Sequence, residues 1–120
     1  MTLSQVIEMA NDVKPNAFDE KTMTHWVNQV EGQVQTEVFL WAVEQIIQYD
    51  INQDADTELL VQPPHDKIYL SYLMAMIDFA NGEYNKYANT AAMFNEQFAE
   101  FMRWFALTFR PADTHEEVYT

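Results

Sequence analysis

Residues 63–111, PPHDKIYLSYLMAMIDFANGEYNKYANTAAMFNEQFAEFMRWFALTFRP, decide the fold. Two prolines open the stretch, and proline is tolerated in a first helical turn, so a helix starts around Pro64 to Asp66. Ile68, Tyr69, Tyr72, Leu73, Met76, Ile77 and Ala80 then recur at helical spacing and mark one broad apolar face. Asn81-Gly82 is a natural C-terminal stop. Glu83 opens a longer helix whose stripe runs through Tyr84, Tyr87, Ala91, Phe94, Phe98, Phe101, Phe105 and Phe109 before Pro111. So short a connection folds the two helices back on each other as an antiparallel hairpin.

Toward the N-terminus, Thr2 and Gln5 have the spacing of a capping box, and Leu3, Val6, Ile7 and Ala10 share one face of a short first helix that ends before Lys14-Pro15. Asp19 is a good N-cap for a second helix carrying Met23, Trp26, Val27, Val30 and Val34, with Glu20 near the positive end of its dipole. Between the second and third helices the pattern changes. Apolar and polar residues alternate from Ile47 to Ile51, Asn52 to Thr57 is polar, and Leu59-Leu60-Val61 is apolar again, which reads as two short strands in an extended loop. A helix through Phe39 to Ile47 competes with that reading. The expected fold class is mainly α: a small bundle of about four helices with a long, partly extended acidic loop at 37–62. Residues 1–110 form one helical domain and 111–120 a flexible, mostly polar tail.

The chain has 120 residues, a net charge of -13, 48% hydrophobic and 14% aromatic content and no cysteine. That apolar content supports one folded core despite the charge, and the missing cysteines remove thiol nucleophiles, zinc-thiolate sites and disulfides together. The longest apolar runs, Val38 to Val43 and Tyr72 to Ile77, have six residues each, far short of a bilayer span. The first residues lack the basic patch and apolar stretch of a secretory signal, so synthesis in the cytoplasm is expected. The acidity is uneven: residues 1–62 carry eleven acids and two lysines, whereas residues 63–109 carry five acids and three bases. Such a surface repels phosphate backbones and anionic membranes.

Several residue groups invite a chemical reading. Asp50, Asn52, Asp54 and Asp56 alternate like calcium-loop ligands, but Ala55 stands where the loop needs glycine and Val61 where it needs a bidentate glutamate, so a solvated acidic turn is the better reading. His25, His65 and His115 show no metal-ligand spacing and read as surface histidines. Glu96 and Glu100 lie one helical turn apart on what reads as a solvated face. Ser4 and Ser71, with Gly32 and Gly82, form neither a nucleophile elbow nor a phosphate loop. No catalytic residue, cofactor site or metal site is therefore expected, and the protein is not read as an enzyme. The six acids of 37–62 meet no base within that segment, and large apolar groups interleave them. Phe39, Trp41, Tyr49, Ile51, Asp54, Asp56 and Trp104 are accordingly the candidate partner interface. Eleven of the seventeen aromatics fall between Tyr69 and Phe109, more than a small bundle hides easily, which favours a homo-oligomer.

The run from Leu59 to Tyr69, LLVQPPHDKIY, followed by Tyr72 to Tyr87, YLMAMIDFANGEYNKY, and by Phe94-Asn95, resembles a group of small prophage proteins similar to tailed-phage head-tail connectors, or adaptors. The resemblance covers about half of the chain, weakens over 1–36 and is poor over 37–58, as in loops that vary in length. His65 stands where it would place an aromatic residue. It implies a helical bundle assembled as a homo-oligomeric ring of about a dozen copies beneath the portal. The partners it implies are the portal protein and a tail-completion protein, with DNA passing through the ring unbound and no membrane involved. It also implies residence in the virion after assembly in the host cytoplasm, with 37–58 as a docking arm. The rival expectation is an acidic DNA mimic that inhibits a basic host or phage protein, a monomer whose binding depends strongly on salt.

Overall fold

The capping chemistry read at the helix starts is present in the computed structural model, which describes residues 1–109. Helix α1 (Leu3–Val13) begins behind Thr2, whose hydroxyl accepts from the Gln5 amide at 3.2 Å while the Gln5 side chain accepts from the Thr2 amide at 2.9 Å. The Leu3 and Ser4 amides, orphans of the same helix end, donate to the Thr57 and Ala55 carbonyls at 3.1 and 2.9 Å. Helix α2 (Glu20–Gln33) starts at Asp19, which accepts from the Thr22 amide at 2.8 Å; that bond holds the Asp19 carboxyl below its usual range. It runs on into a π-helical turn, Val34–Val38, where the Phe39 amide reaches back five residues to the Val34 carbonyl at 2.9 Å. A 3-10 turn (Val43–Gln45), the one-turn helix α3 (Ile51–Asp54), α4 (Lys67–Ala80) and α5 (Tyr84–Phe109) complete the order.

The mainly helical bundle is thus present, with α4 and α5 as the antiparallel hairpin read from the sequence. Gly82, at φ 73°, makes the reversal in a region that favours glycine. The register runs Asp78 opposite Thr90, Ser71 opposite Gln97 and Lys67 opposite Glu100. Leu3, Val6, Ile7 and Ala10 of α1 meet Met23, Trp26, Val27 and Val30 of α2 in one core with Ile68, Tyr69, Leu73 and Ile77 of α4 and Phe94, Phe98 and Phe101 of α5. These are the faces that helical periodicity marked. Tyr84 and Phe109, at the two ends of the expected α5 stripe, are exposed instead.

The two strands expected in the loop are not there: the described residues form no strand, only an isolated antiparallel bridge between Thr2 and Glu58. Nor is Phe39 to Ile47 a helix; it is irregular chain with one 3-10 turn. The alternation from Ile47 to Ile51 has another partner, a polar ladder on α2 and its π-helical extension. The Gln35 amide group accepts from the Ile47 N–H at 2.8 Å and donates to the Ile47 carbonyl at 3.1 Å. Asn28 does the same for Tyr49, at 2.8 and 3.0 Å. Between them on the same face, Glu31 accepts from the Tyr49 hydroxyl (2.7 Å), the Tyr69 hydroxyl (2.5 Å) and the Leu60 amide (3.0 Å). Tyr69 in turn accepts from the Val61 amide at 2.8 Å. Residues 47–61 are therefore a strap tied to α2, not a free arm, because side-chain amides replace the neighbouring strand that alternating backbone groups would otherwise need. The expected tail at 111–120, with His115, lies outside the described residues.

Candidate functional site

Helix α5 is longer than its partner by a wide margin. It has 26 residues against the 14 of α4, about 39 Å against about 21 Å at 1.5 Å per residue. Because Glu100 lies opposite Lys67, the first residue of α4, residues 101–109 overhang the hairpin. Only Arg103 of those nine residues is charged. Met102, Trp104, Leu107 and Phe109 are all exposed there, so apolar groups emerge on more than one side of the helix. Phe39, from the chain leaving α2, packs against the overhang with its ring 5.0 Å from that of Phe105, and Phe109 lies 4.9 Å from Phe105 on the other side.

This aromatic ridge divides two shallow hollows. One, of about 350 Å³, lies between Glu37, Val38, Phe39 and Leu40 on one wall and Met102, Phe105, Ala106 and Phe109 on the other. The second, of about 240 Å³, is shared by Leu60, Val61, Gln62, Phe101 and Trp104 with the ridge. Leu40 stands on the lip of the first hollow with 77% of its surface exposed and a backbone φ of 59°. A leucine in the left-handed region costs about 1–2 kcal/mol, and here no burial of the side chain offsets it. Leu40→Gly removes that strain while loosening the unfolded chain, so the variant should be as stable as the parent or up to about 1 kcal/mol more stable in urea unfolding. A clear loss of stability would show that the Leu40 side chain contributes packing.

The structure separates the residues proposed as a partner interface. Phe39 and Trp41, half-buried with ring centroids 5.4 Å apart, border the overhang, and Trp104 is 41% exposed on it. Tyr49 is instead a buried core residue committed to Glu31, and Ile51 packs against the core from α3. The tied-down strap buries Tyr49 and leaves Ile51 half-buried. Asp54 and Asp56 line neither hollow of the overhang. Asp50 and Asp54 are occupied in capping: Asp50 accepts from the Asn52 amide at 3.0 Å and Asp54 from the Asp50 amide at 2.8 Å. The calcium-like run is a helical turn, and no group of three or more His, Cys, Asp or Glu among the described residues is placed to hold a metal ion.

Among the buried polar groups that escaped the sequence reading are Glu31, Asp78 and His65. Glu31 is fully buried, and burial raises its carboxyl above the usual range despite the three donors around it. Burial, followed by the charge of Glu31, also raises the Tyr49 and Tyr69 hydroxyls. Asp78, 1% exposed, accepts from Lys14 Nζ at 2.7 Å and from the Thr90 hydroxyl at 3.0 Å. His65 is not the surface histidine expected but 6% exposed, with its ring 4.7 Å from Trp104 and 5.6 Å from Phe101. It takes an aromatic's place after the two prolines, and its Nδ1 has no hydrogen-bond partner among the described residues. His25 is exposed as expected, as are Glu96 and Glu100. A glutamate at position 31, beside Val27, Val30 and Val34, was the available signal: a carboxylate in an apolar neighbourhood needs donors brought to it.

Glu31, Asp78 and His65 hold elements together and line neither hollow of the overhang, which offers apolar surface for contact. No helix of the described residues is long and apolar enough to cross a membrane. Compared with known proteins, the chain matches no family model, no curated protein and no solved structure.

Proposed function

We propose that this protein is a non-catalytic assembly part, a head-tail connector that joins a phage portal to neck or tail components as a member of a homo-oligomeric ring. The observation that carries this reading is the apolar overhang of α5, a nine-residue projection with one charge and four exposed large apolar side chains. The resemblance of residues 59–95 to connector proteins supports the same conclusion. The molecule is elongated, 58 × 34 × 23 Å, and the overhang continues its longest helix, a shape suited to packing side by side in a ring wall with one end free for a neighbour. A net charge of -13 would let DNA pass such a wall without adhering to it. The acidic-mimic alternative draws on charge alone and leaves the overhang without a use.

Electron microscopy of the protein mixed with portal rings tests the proposal. Added density should appear as a ring on one end of the portal. A protein that stays monomeric and ignores the portal, yet binds a basic protein in a salt-sensitive way, would make the mimic the better reading.

A further inference from the structure

We infer that the twin hollows on the α5 overhang are the docking site for a protein segment with large apolar anchors flanked by lysine or arginine, rather than for a second copy of this chain. The inference rests on the reading of the protein as an assembly part and names the chemistry of one partner.

The shape of the site sets the first requirement. Phe39, Phe105 and Phe109 form a ridge common to both hollows, so an occupant must straddle it with one apolar side chain on each side. Anchors one helical turn apart on a partner helix lie on the same face and meet that geometry. Leu40 adds a lip that is held outward in a strained conformation, and strain kept at an exposed apolar residue points to a contact made there.

Charge sets the second requirement. The wall formed by the chain leaving α2 carries Glu37, and Glu44 follows it; both are exposed and neither forms an ion pair among the described residues. Other acids of the loop are differently placed: Glu58 pairs with the N-terminal ammonium of Met1 at 2.9 Å, and Asp50 and Asp54 cap α3. No base occurs anywhere in 37–62, and Arg103 lines neither hollow. An occupant carrying cations beside its anchors therefore gains at this wall, to which the overhang of a second copy, residues 101–109, could bring no cation but Arg103. The occupant is a basic amphipathic segment.

The test uses the full-length, isotope-labelled protein and two probes, a helical peptide of leucine and lysine and its leucine and glutamate counterpart. The leucine-lysine peptide should bind about tenfold or more tightly than the other, weaken as salt rises, and shift the amide signals of Phe39, Leu40, Phe105 and Phe109. Leu40→Gly should weaken it several-fold without unfolding the protein, and Glu37→Gln with Glu44→Gln should erase most of the preference between the probes. Equal binding of the two peptides, shifts confined to other surfaces, or indifference to Leu40→Gly would overturn the inference. So would shifts of the same four signals with protein concentration alone, since the occupant would then be a second copy. A ring on the portal with no peptide bound in the hollows would reject the inference and keep the connector reading. Peptide seated in the hollows with no portal ring would do the reverse.

Discussion

Replacing Glu31 by alanine is expected to remove about 3–5 kcal/mol of folding free energy, a large share of the roughly 5–15 kcal/mol that a domain possesses. The loss comes from the donors the carboxylate leaves behind. Two tyrosine hydroxyls and the Leu60 amide converge on it inside the core, and alanine offers none of them an acceptor. The Val61 amide would keep Tyr69 as its acceptor, but Tyr69 itself would no longer be fixed. Urea unfolding monitored by circular dichroism measures the change. Glu31→Gln is the informative companion, because it keeps the shape and one acceptor and should cost only about 1–3 kcal/mol.

The pair also fixes the sign of a pH effect. Burial raises the Glu31 carboxyl above its ordinary value, so the fold binds that proton more tightly than the unfolded chain does. Its contribution is complete below the unfolded value near 4.5 and is lost as pH rises through the folded one. The stability gap between the parent and Glu31→Gln should therefore widen as pH falls from neutral toward 5. A gap that narrows instead would mean that the three donors outweigh burial and keep the carboxylate charged.

The second large effect is expected at Lys14. Lys14→Met should destabilise by about 3 kcal/mol, because Asp78 is almost fully buried and would keep only the Thr90 hydroxyl beside its charge. Asp78→Leu should cost less, since Lys14 is partly exposed and can turn to water. The double variant should recover much of the loss, because an apolar pair of similar size avoids the desolvation that both charges incur. A double-mutant cycle on urea midpoints reads the coupling, and purely additive effects would show that the ion pair stabilises nothing. The effect is large for one contact because Lys14 ends α1 and Asp78 lies near the end of α4, so this bridge ties two helices across the bundle.

What could be read from sequence was the chemistry that acts over a few residues. Thr2 with Gln5, Asp19, Lys14-Pro15 and Asn81-Gly82 mark helix ends because a cap or a stop is decided by its immediate neighbours. The core faces of α1 and α2 were legible for the same reason. The strap was not, because its partners lie 12 to 29 residues away on α2 and are side chains, which a search for strand partners does not consider. His65 misled because histidine is usually a surface residue, and only the approach of Phe101 and Trp104 from α5 shows that this one is packed as a ring. For the candidate interface, Phe39 and Trp41 were read from the large apolar groups among the acids of 37–62 and Trp104 from the excess of aromatics, and all three lie outside the main core cluster or at its edge. That Leu40 and Phe109 stand exposed beside the same hollow was not legible, since neither a positive φ nor the end of α4 can be seen in a list of apolar positions.

Asn28 and Gln35 grip main-chain atoms of residues 47 and 49, Glu31 between them holds the Tyr49 hydroxyl, and no rung falls on residues 46 or 48. Substitutions at Ile46 and Gln48 should therefore be absorbed with little effect, while inserting or deleting a single residue between 47 and 49 would misalign every rung. Evolution is free to rewrite positions 46 and 48 of this segment but not its length.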